Sequence, residues 1–278
     1  MTRRAVVLGA GGPAAIAWEV GVVAGLQDAG ADLRDADLFV GTSAGSVVAT
    51  QITSGLSIEE MFGQQIEPDR QVAPPVDFKE LRAGIARAKA GGGSVSEMLR
   101  RVGAWASAAR TVSEAQRREM IAARLLVRVW PERALRVAAV DVESGERYVF
   151  DRSSGVDLID AVAASCAVPG VWPPITIKGR RYMDGGTYAT ENVDLAIGCD
   201  HVLVLALTPR TPAMAATSLD PGLKALNDSG ARVEVVHPDE ATEAAFALVG
   251  GNLLDPSVRE SAARAGRMQG RNIATRLV

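Results

Sequence analysis

The chain is poor in the residues that most often bind metals or carry protons, with two histidines and two cysteines among 278 residues. Cys166 and Cys199 stand in apolar surroundings and form no Cys-x-x-Cys or Cys/His spacing, which supports neither a disulfide scaffold nor a zinc site and makes a reducing compartment the expectation. Aromatic residues reach only 4%, and lysine occurs only at Lys79, Lys89, Lys178 and Lys224. No run of five or six like charges occurs, and 30 Lys plus Arg against 33 Asp plus Glu give a formal net charge of -3. Nucleic acid is therefore a poor candidate partner. No stretch reaches the ~18 apolar residues that a membrane-spanning helix needs, so the chain is expected to touch a membrane at most from its side. Met1 to Leu8 superficially imitates a signal peptide, but Gly9, Gly11, Gly12 and Pro13 break the apolar stretch, and a cytoplasmic location is expected.

What is present is alternation. A short apolar strand from Arg4 to Leu8 leads into a glycine-rich turn and then into helical spacing over Ala14 to Ala29, with Ile16, Val20, Val23 and Leu26 on one stripe. The pattern repeats as a strand at Leu38 to Val40, a tight turn Gly41-Thr42-Ser43-Ala44-Gly45, and a helix from Ser46 to Thr53. Two such units in tandem predict a mostly parallel sheet under helices. A helical insert follows over about 55–133, with capping-box candidates at Ser57/Glu60, Ser94/Glu97 and Ser113/Gln116, loop signals at Pro74-Pro75 and Gly91 to Gly93, and an apolar stripe of Leu99, Val102 and Trp105 expected to pack against other helices. Sheet patterning resumes with a hairpin of Leu135 to Val142 and Arg147 to Asp151. A helix from Leu158 to Ala167 and a hairpin of Ile175 to Lys178 with Arg181 to Asp184 follow. Buried strands at His201 to Leu207 and Arg232 to Val236 and a helix from Ser257 to Ala274 complete one expected domain, residues 1–278.

Gly41-x-Ser43-x-Gly45 between strand and helix is the nucleophile-elbow arrangement, in which the glycines permit a strained turn that presents the serine hydroxyl at the sheet edge. A nucleophilic serine needs a base. His201, at the start of a buried strand, reads as a satisfied structural residue, whereas His237 at a strand end could complete a triad in the order Ser43, Asp184, His237. The other candidate base is Asp184 itself, in Asp184-Gly185-Gly186 at a strand end, whose carboxylate can take the serine proton directly. The first loop, Gly9-Ala10-Gly11-Gly12-Pro13-Ala14, fits a dinucleotide fingerprint in its spacing. That fingerprint also expects an acidic residue at the end of the second strand, where this chain has Val40-Gly41. The same loop fits an oxyanion hole, with amide donors of Gly11 and Gly12 at a helix N-terminus.

The glycine-rich loop, the Gly-x-Ser-x-Gly about thirty residues later and the Asp-Gly-Gly after a helical insert, together with Ala163 to Pro174 leading into it, resemble the patatin-like phospholipase family over most of the chain. Ile16-Ala17-Trp18-Glu19 and Met268-Gln269-Gly270 resemble a bacterial subgroup. The resemblance implies a three-layer α/β/α fold with a central mostly parallel sheet. It also implies a Ser43–Asp184 dyad without a catalytic histidine, an acyl-enzyme route on a fatty-acyl ester, and no metal or cofactor. The loop departs from the family's G-G-G-x-Arg/Lys-G, since Pro13 supplies no amide and Ala15 no charge. A Ser43–Asp184–His237 esterase and a catalytically weak lipid-binding protein of the same fold are the alternatives.

Overall fold

A computed structural model describes residues 2–67, 78–125, 127–207 and 215–277. Pro74-Pro75 lies outside the described residues. In chain order the elements are β1 (Arg4–Leu8), α1 (Gly12–Asp28), β2 (Leu38–Thr42), α2 (Ala44–Ile52), α3 (Ile58–Ile66), α4 (Phe78–Ala90), α5 (Val95–Ala108) and α6 (Glu114–Leu125). There follow β3 (Ala134–Asp141), β4 (Arg147–Phe150), α7 (Leu158–Ser165), β5 (Ile175–Ile177), β6 (Arg180–Asp184), β7 (His201–Leu205), α8 (Asp220–Asp228), β8 (Arg232–Val236), α9 (Glu240–Ala247) and α10 (Arg259–Leu277).

The strands form one sheet in the order β5-β6-β3-β2-β1-β7-β8, with β4 also paired to β3. Pairings among β3, β2, β1, β7 and β8 are parallel, and β4, β5 and β6 add antiparallel pairs. Alternation along each strand sends side chains to two faces. Val6, Leu8, Phe39, Val137, Leu203 and Leu205 bury against α1, α2, α7 and α10, whereas Ala5, Val7, Leu38, Val40, Val202 and Val204 face α8 and the 193–199 turn. The result is an α/β fold of three layers, as expected.

All three capping boxes form: Ser57 with Glu60, Ser94 with Glu97, and Ser113 with Gln116 exchange reciprocal backbone-to-side-chain hydrogen bonds. The insert they punctuate changes sides. Ile58, Met61 and Phe62 of α3 and Ile121 and Leu125 of α6 join the α1 face, while Ala88 of α4 and Leu99 and Val102 of α5 pack on Val140, Val142 and Met183 of the opposite face. Between the two, Leu81, Ile85, Val171, Trp105, Val168, Trp172 and Leu254 form an apolar cluster.

α1 and α10 run parallel at backbone contact. A Cβ on Gly21 or Gly25 of α1 would collide with the carbonyls of Ala263 or Arg267, and one on Gly266 or Gly270 of α10 with those of Trp18 or Val22. Trp18 Nε1 donates to Gln269 Oε1 at 2.8 Å, and Gln269 Nε2 donates to the His237 carbonyl at 2.6 Å. This buried pair gives Trp18 and Gln269, which carry the subgroup resemblance, a packing role.

Two expectations are corrected. The β5–β6 turn is Lys178-Gly179, not Gly179-Arg180, because Ile177 pairs with Arg180 and both turn residues have positive φ (49° and 78°), the geometry of a two-residue hairpin. His201 is exposed rather than buried, because it is the first residue of β7 and only the following residues enter the core.

Candidate active site

β3 acts as the ruler that assembles the site. Thr42, the last residue of β2, pairs with Ala138, and Asp184, the last residue of β6, pairs with the next residue, Ala139. One strand arrives parallel and the other antiparallel, so their C-terminal ends meet, with Ser43 following one and Gly185 the other. Gly185 must be glycine because a Cβ would collide with the Ala138 carbonyl. Gly186 packs where a Cβ would lie 3.0 Å from the Ala10 methyl, which brings the Asp-Gly-Gly turn against the first glycine loop.

Ser43 has φ 52° and ψ -115°, a conformation that non-glycine residues rarely adopt. Its neighbours make the turn possible. A Cβ on Gly41 would press on Ser46, one on Gly45 would collide with the Leu8 carbonyl, and the Gly45 amide donates to the Gly9 carbonyl at 2.9 Å. The strained residue is held on both sides of its backbone. Its N–H donates to Ser165 Oγ at 2.9 Å, and its carbonyl accepts from Ser46 Oγ at 2.6 Å and Cys166 Sγ at 3.2 Å. The Asp184 amide donates to the Ala167 carbonyl at 3.0 Å. The Ala163 to Pro174 block thus fixes serine and aspartate together through three consecutive residues.

Asp184 is 4% exposed. Burial pushes its carboxyl up to about 6, against the opposing pull of the Ser43 side chain, the Gly186 amide and the Arg117 guanidinium. Oδ1 accepts from Gly186 N–H at 2.7 Å. Ser43 lies close enough to favour the charged carboxylate, yet among the described residues Oδ2 has no partner of full hydrogen-bond geometry.

The first glycine loop lies at the C-terminal end of β1. Gly9 and Ala10 N–H groups donate to the carbonyls of Leu205 and Thr190, and Ala14 N–H to that of Leu253. Among the described residues, the amides of Gly11, Gly12 and Ala44 have no acceptor. These are the open donors at the N-termini of α1 and α2, where helix dipoles also favour negative charge. Gly12 has φ 64°, and a Cβ there would sit 2.8 Å from the Leu253 carbonyl oxygen.

His237 is placed differently. Its Nδ1 lies 3.0 Å from the Ala206 carbonyl oxygen, and the partners acting on Asp184 are Ser43, Gly186 and Arg117. Several residues at the site escape a motif reading. Ser165 and Cys166 act through Ser43 across the fold. Asn192 Nδ2 ties Thr42 Oγ1 (3.1 Å) to the Ala189 carbonyl (2.6 Å). Glu19 is fully buried beneath the loop, its carboxyl pushed well up by burial and by Glu191 against a pull from the Gly9 amide, with neither oxygen at hydrogen-bond geometry. Ala44 could have been found from the elbow itself, since the residue after the nucleophile opens the helix. Among the described residues no group of three or more His, Cys, Asp or Glu side chains stands together to hold a metal.

A family model described as patatin-like phospholipase matches residues 6–197. No curated protein matches the chain. Among solved structures, VipD from Legionella pneumophila aligns at 12% identity and TM-score 0.47, covering 99% of this chain and 67% of its own. The type III effector protein ExoU aligns at 13% identity and TM-score 0.42, covering 99% and 53%. ExoU in complex with SpcU, from Pseudomonas aeruginosa, gives 15% identity and TM-score 0.38, covering 97% and 53%. This chain therefore spans about half the length of the ExoU chains it matches. The family match takes in the first glycine loop, the elbow, the insert and the Asp-Gly-Gly turn, and on it the chain belongs to the patatin-like phospholipase family, a membership that supports a lipid hydrolase.

Proposed function

We propose that the chain is a serine esterase of the phospholipase A, lysophospholipase or general esterase type, with Ser43 as nucleophile and Asp184 as its base. The observation that carries this reading is the meeting of a strained elbow serine with a buried carboxyl at one step of β3. Ser43 Oγ attacks the ester carbonyl carbon as its proton passes to Asp184, and the resulting oxyanion takes hydrogen bonds from amides left open at Gly11, Gly12 and Ala44. Collapse expels the alcohol, which takes the proton from Asp184, and leaves an acyl-Ser43 ester. Water, deprotonated by Asp184, then releases the fatty acid. With its carboxyl near 6, Asp184 is a base at neutral pH, and turnover should rise with pH through that value.

The apolar cluster of Leu81, Ile85, Trp105, Val168, Val171, Trp172 and Leu254 adjoins Ala167 and Gly12, and it supports an acyl-chain path under the insert. A lipid substrate would bring this face to a membrane surface, in keeping with peripheral contact. The hydrogen bond of His237 to Ala206 favours the dyad over the triad. Pro13, which gives the loop no amide, favours the weak lipid-binding reading.

The test is hydrolysis of p-nitrophenyl esters of graded chain length, with fluorophosphonate labelling, by wild type, Ser43→Ala, Asp184→Asn and His237→Ala. Loss in the first two variants and retention in the third is expected. A dead His237→Ala would establish the triad, and a wild type that neither turns over nor labels would leave lipid binding as the function.

A further inference from the structure

Between Glu243 and Asp255 the chain carries no charged side chain. This stretch takes in the last turn of α9 and the loop that leads toward α10. Leu248, which caps α9, is 76% exposed. Gly250 and Gly251 turn the chain there with φ 61° and 74°, and a Cβ on either would meet nothing within 4 Å, so the turn stands clear of the body of the protein.

One exposed leucine is ordinary on a protein surface. This one belongs to a tip that is tied to the candidate site. The Leu253 carbonyl accepts from Ala14 N–H at 3.2 Å, and a Cβ on Gly12 would lie 2.8 Å from both the Leu253 oxygen and Leu254 Cδ2. Leu254 also joins the apolar cluster that holds Trp105 and Trp172, two rings only partly buried. An apolar track thus runs from Leu248 in water to the glycine loop. The charges that border it in sequence are acidic, Glu240 and Glu243 before it and Asp255 after it. The next cations along the chain are already engaged: Arg259 donates to Gln65 Oε1 and the Gln64 carbonyl, and Arg264 pairs with Glu260.

We propose that residues 248–254 are the docking element of the protein and that its partner is a lipid surface of zwitterionic head groups, entered by Leu248 and Val249. The inference rests on the lipid-hydrolase reading and deepens it: the loop that meets the surface is the loop that holds the glycine turn, so an acyl ester leaving the surface has an apolar route toward Ser43. The tip offers no cation to attract anionic head groups, and its acidic borders repel them. Apolar burial, not charge, holds the protein there.

The experiment uses the full chain carrying Ser43→Ala, so that no lipid is hydrolysed, with phosphatidylcholine vesicles. Cys166 and Cys199 are buried, so an environment-sensitive fluorophore can be placed through Leu248→Cys and, as a control, through Val129→Cys. Val129 is equally exposed but lies in the segment entering β3, whose first residue pairs with the first of β2, at the opposite end of that strand from Ser43. Co-sedimentation with vesicles is expected to persist in high salt and to fall about tenfold or more in Leu248→Glu. The fluorophore at 248 should shift to the blue on vesicles, and the one at 129 should not. Co-sedimentation unchanged in Leu248→Glu, or a fluorophore at 248 that stays in water, overturns the proposal, as does binding that requires anionic lipid and is lost in salt. If Leu248→Glu does not fold, as checked by thermal melting, the two fluorophores decide alone. Docking that passes these tests in a protein whose wild type neither hydrolyses esters nor labels with fluorophosphonate upholds the docking element while the hydrolase reading falls.

Discussion

In the proposed dyad, Asp184 is the residue at which catalysis and stability pull in opposite directions. Its carboxyl sits near 6 in the fold and near 3.8 when exposed, so the folded state holds the proton more tightly. The stability this provides is complete below the exposed value and is lost as pH rises through about 6, leaving a penalty of at most about 3 kcal/mol at neutral pH. Asp184→Asn should therefore abolish turnover yet melt higher than wild type at pH 7.5, with the gap closing near pH 4. Equal melting at both values would mean that the carboxyl is not strained by its burial. At this scale the sequence is informative about residues whose local motif already specifies their backbone: Ser43 through its flanking glycines, and Asp184 through the two that follow. It marks Ser165 only as a member of the Ala163 to Pro174 block, with no role, and does not mark Arg117 at all. Their value comes from contacts with Ser43 and Cys166 that span 122 and 49 positions, and no local pattern marks a serine as the acceptor for a distant amide.

Among elements, the α1–α10 pair makes the sharpest demand on side-chain size. Gly25→Ala would gain helix propensity but drive a methyl into the Arg267 carbonyl, so a loss on the order of 1–3 kcal/mol is expected in denaturant unfolding. Gly63→Ala is the control. It lies within α3 with nothing near a new Cβ, and it should stabilise by up to about 1 kcal/mol. If both substitutions behave alike, close helix approach is not what α1 and α10 require. The bounds of β1 and β8 were legible because short apolar segments meet turn residues there, whereas β2 runs two residues further than expected, to Thr42, and β7 two residues less, to Leu205. α8 and α9 were not, because each offers little apolar stripe: Leu226 is the one buried side chain of α8, and Ala245 and Phe246 are the buried apolar residues of α9. The one-residue shift of the β5–β6 turn arose because Lys178 takes a positive φ that its residue type does not advertise.

Across the whole molecule, the insert begins on one face of the sheet, crosses to the other and returns, passing beside the site as it does so. Its length and capping boxes were readable, whereas its change of face was not, because an amphipathic stripe records burial without recording against what. Trp105 fills the slots left by Gly84 and Gly170, so Trp105→Ala should open the apolar cluster. Activity on long-chain esters is expected to fall several-fold more than on short ones, and an unchanged ratio would remove the insert from the acyl path. The sheet order has a further consequence, for time rather than for chemistry. β1, at the centre of the parallel strands, takes β2 from the next stretch of chain on one edge and β7 on the other, with the pairing of Arg3 to Asp200 spanning 197 positions. Loops of that length close slowly. The Gly9 and Ala10 amides are anchored to Leu205 and Thr190, so the glycine loop cannot settle until that closure is made. During refolding, helix content should therefore return first and reactivity toward fluorophosphonate last, leaving an interval in which the chain is largely structured while its proposed nucleophile is not yet reactive.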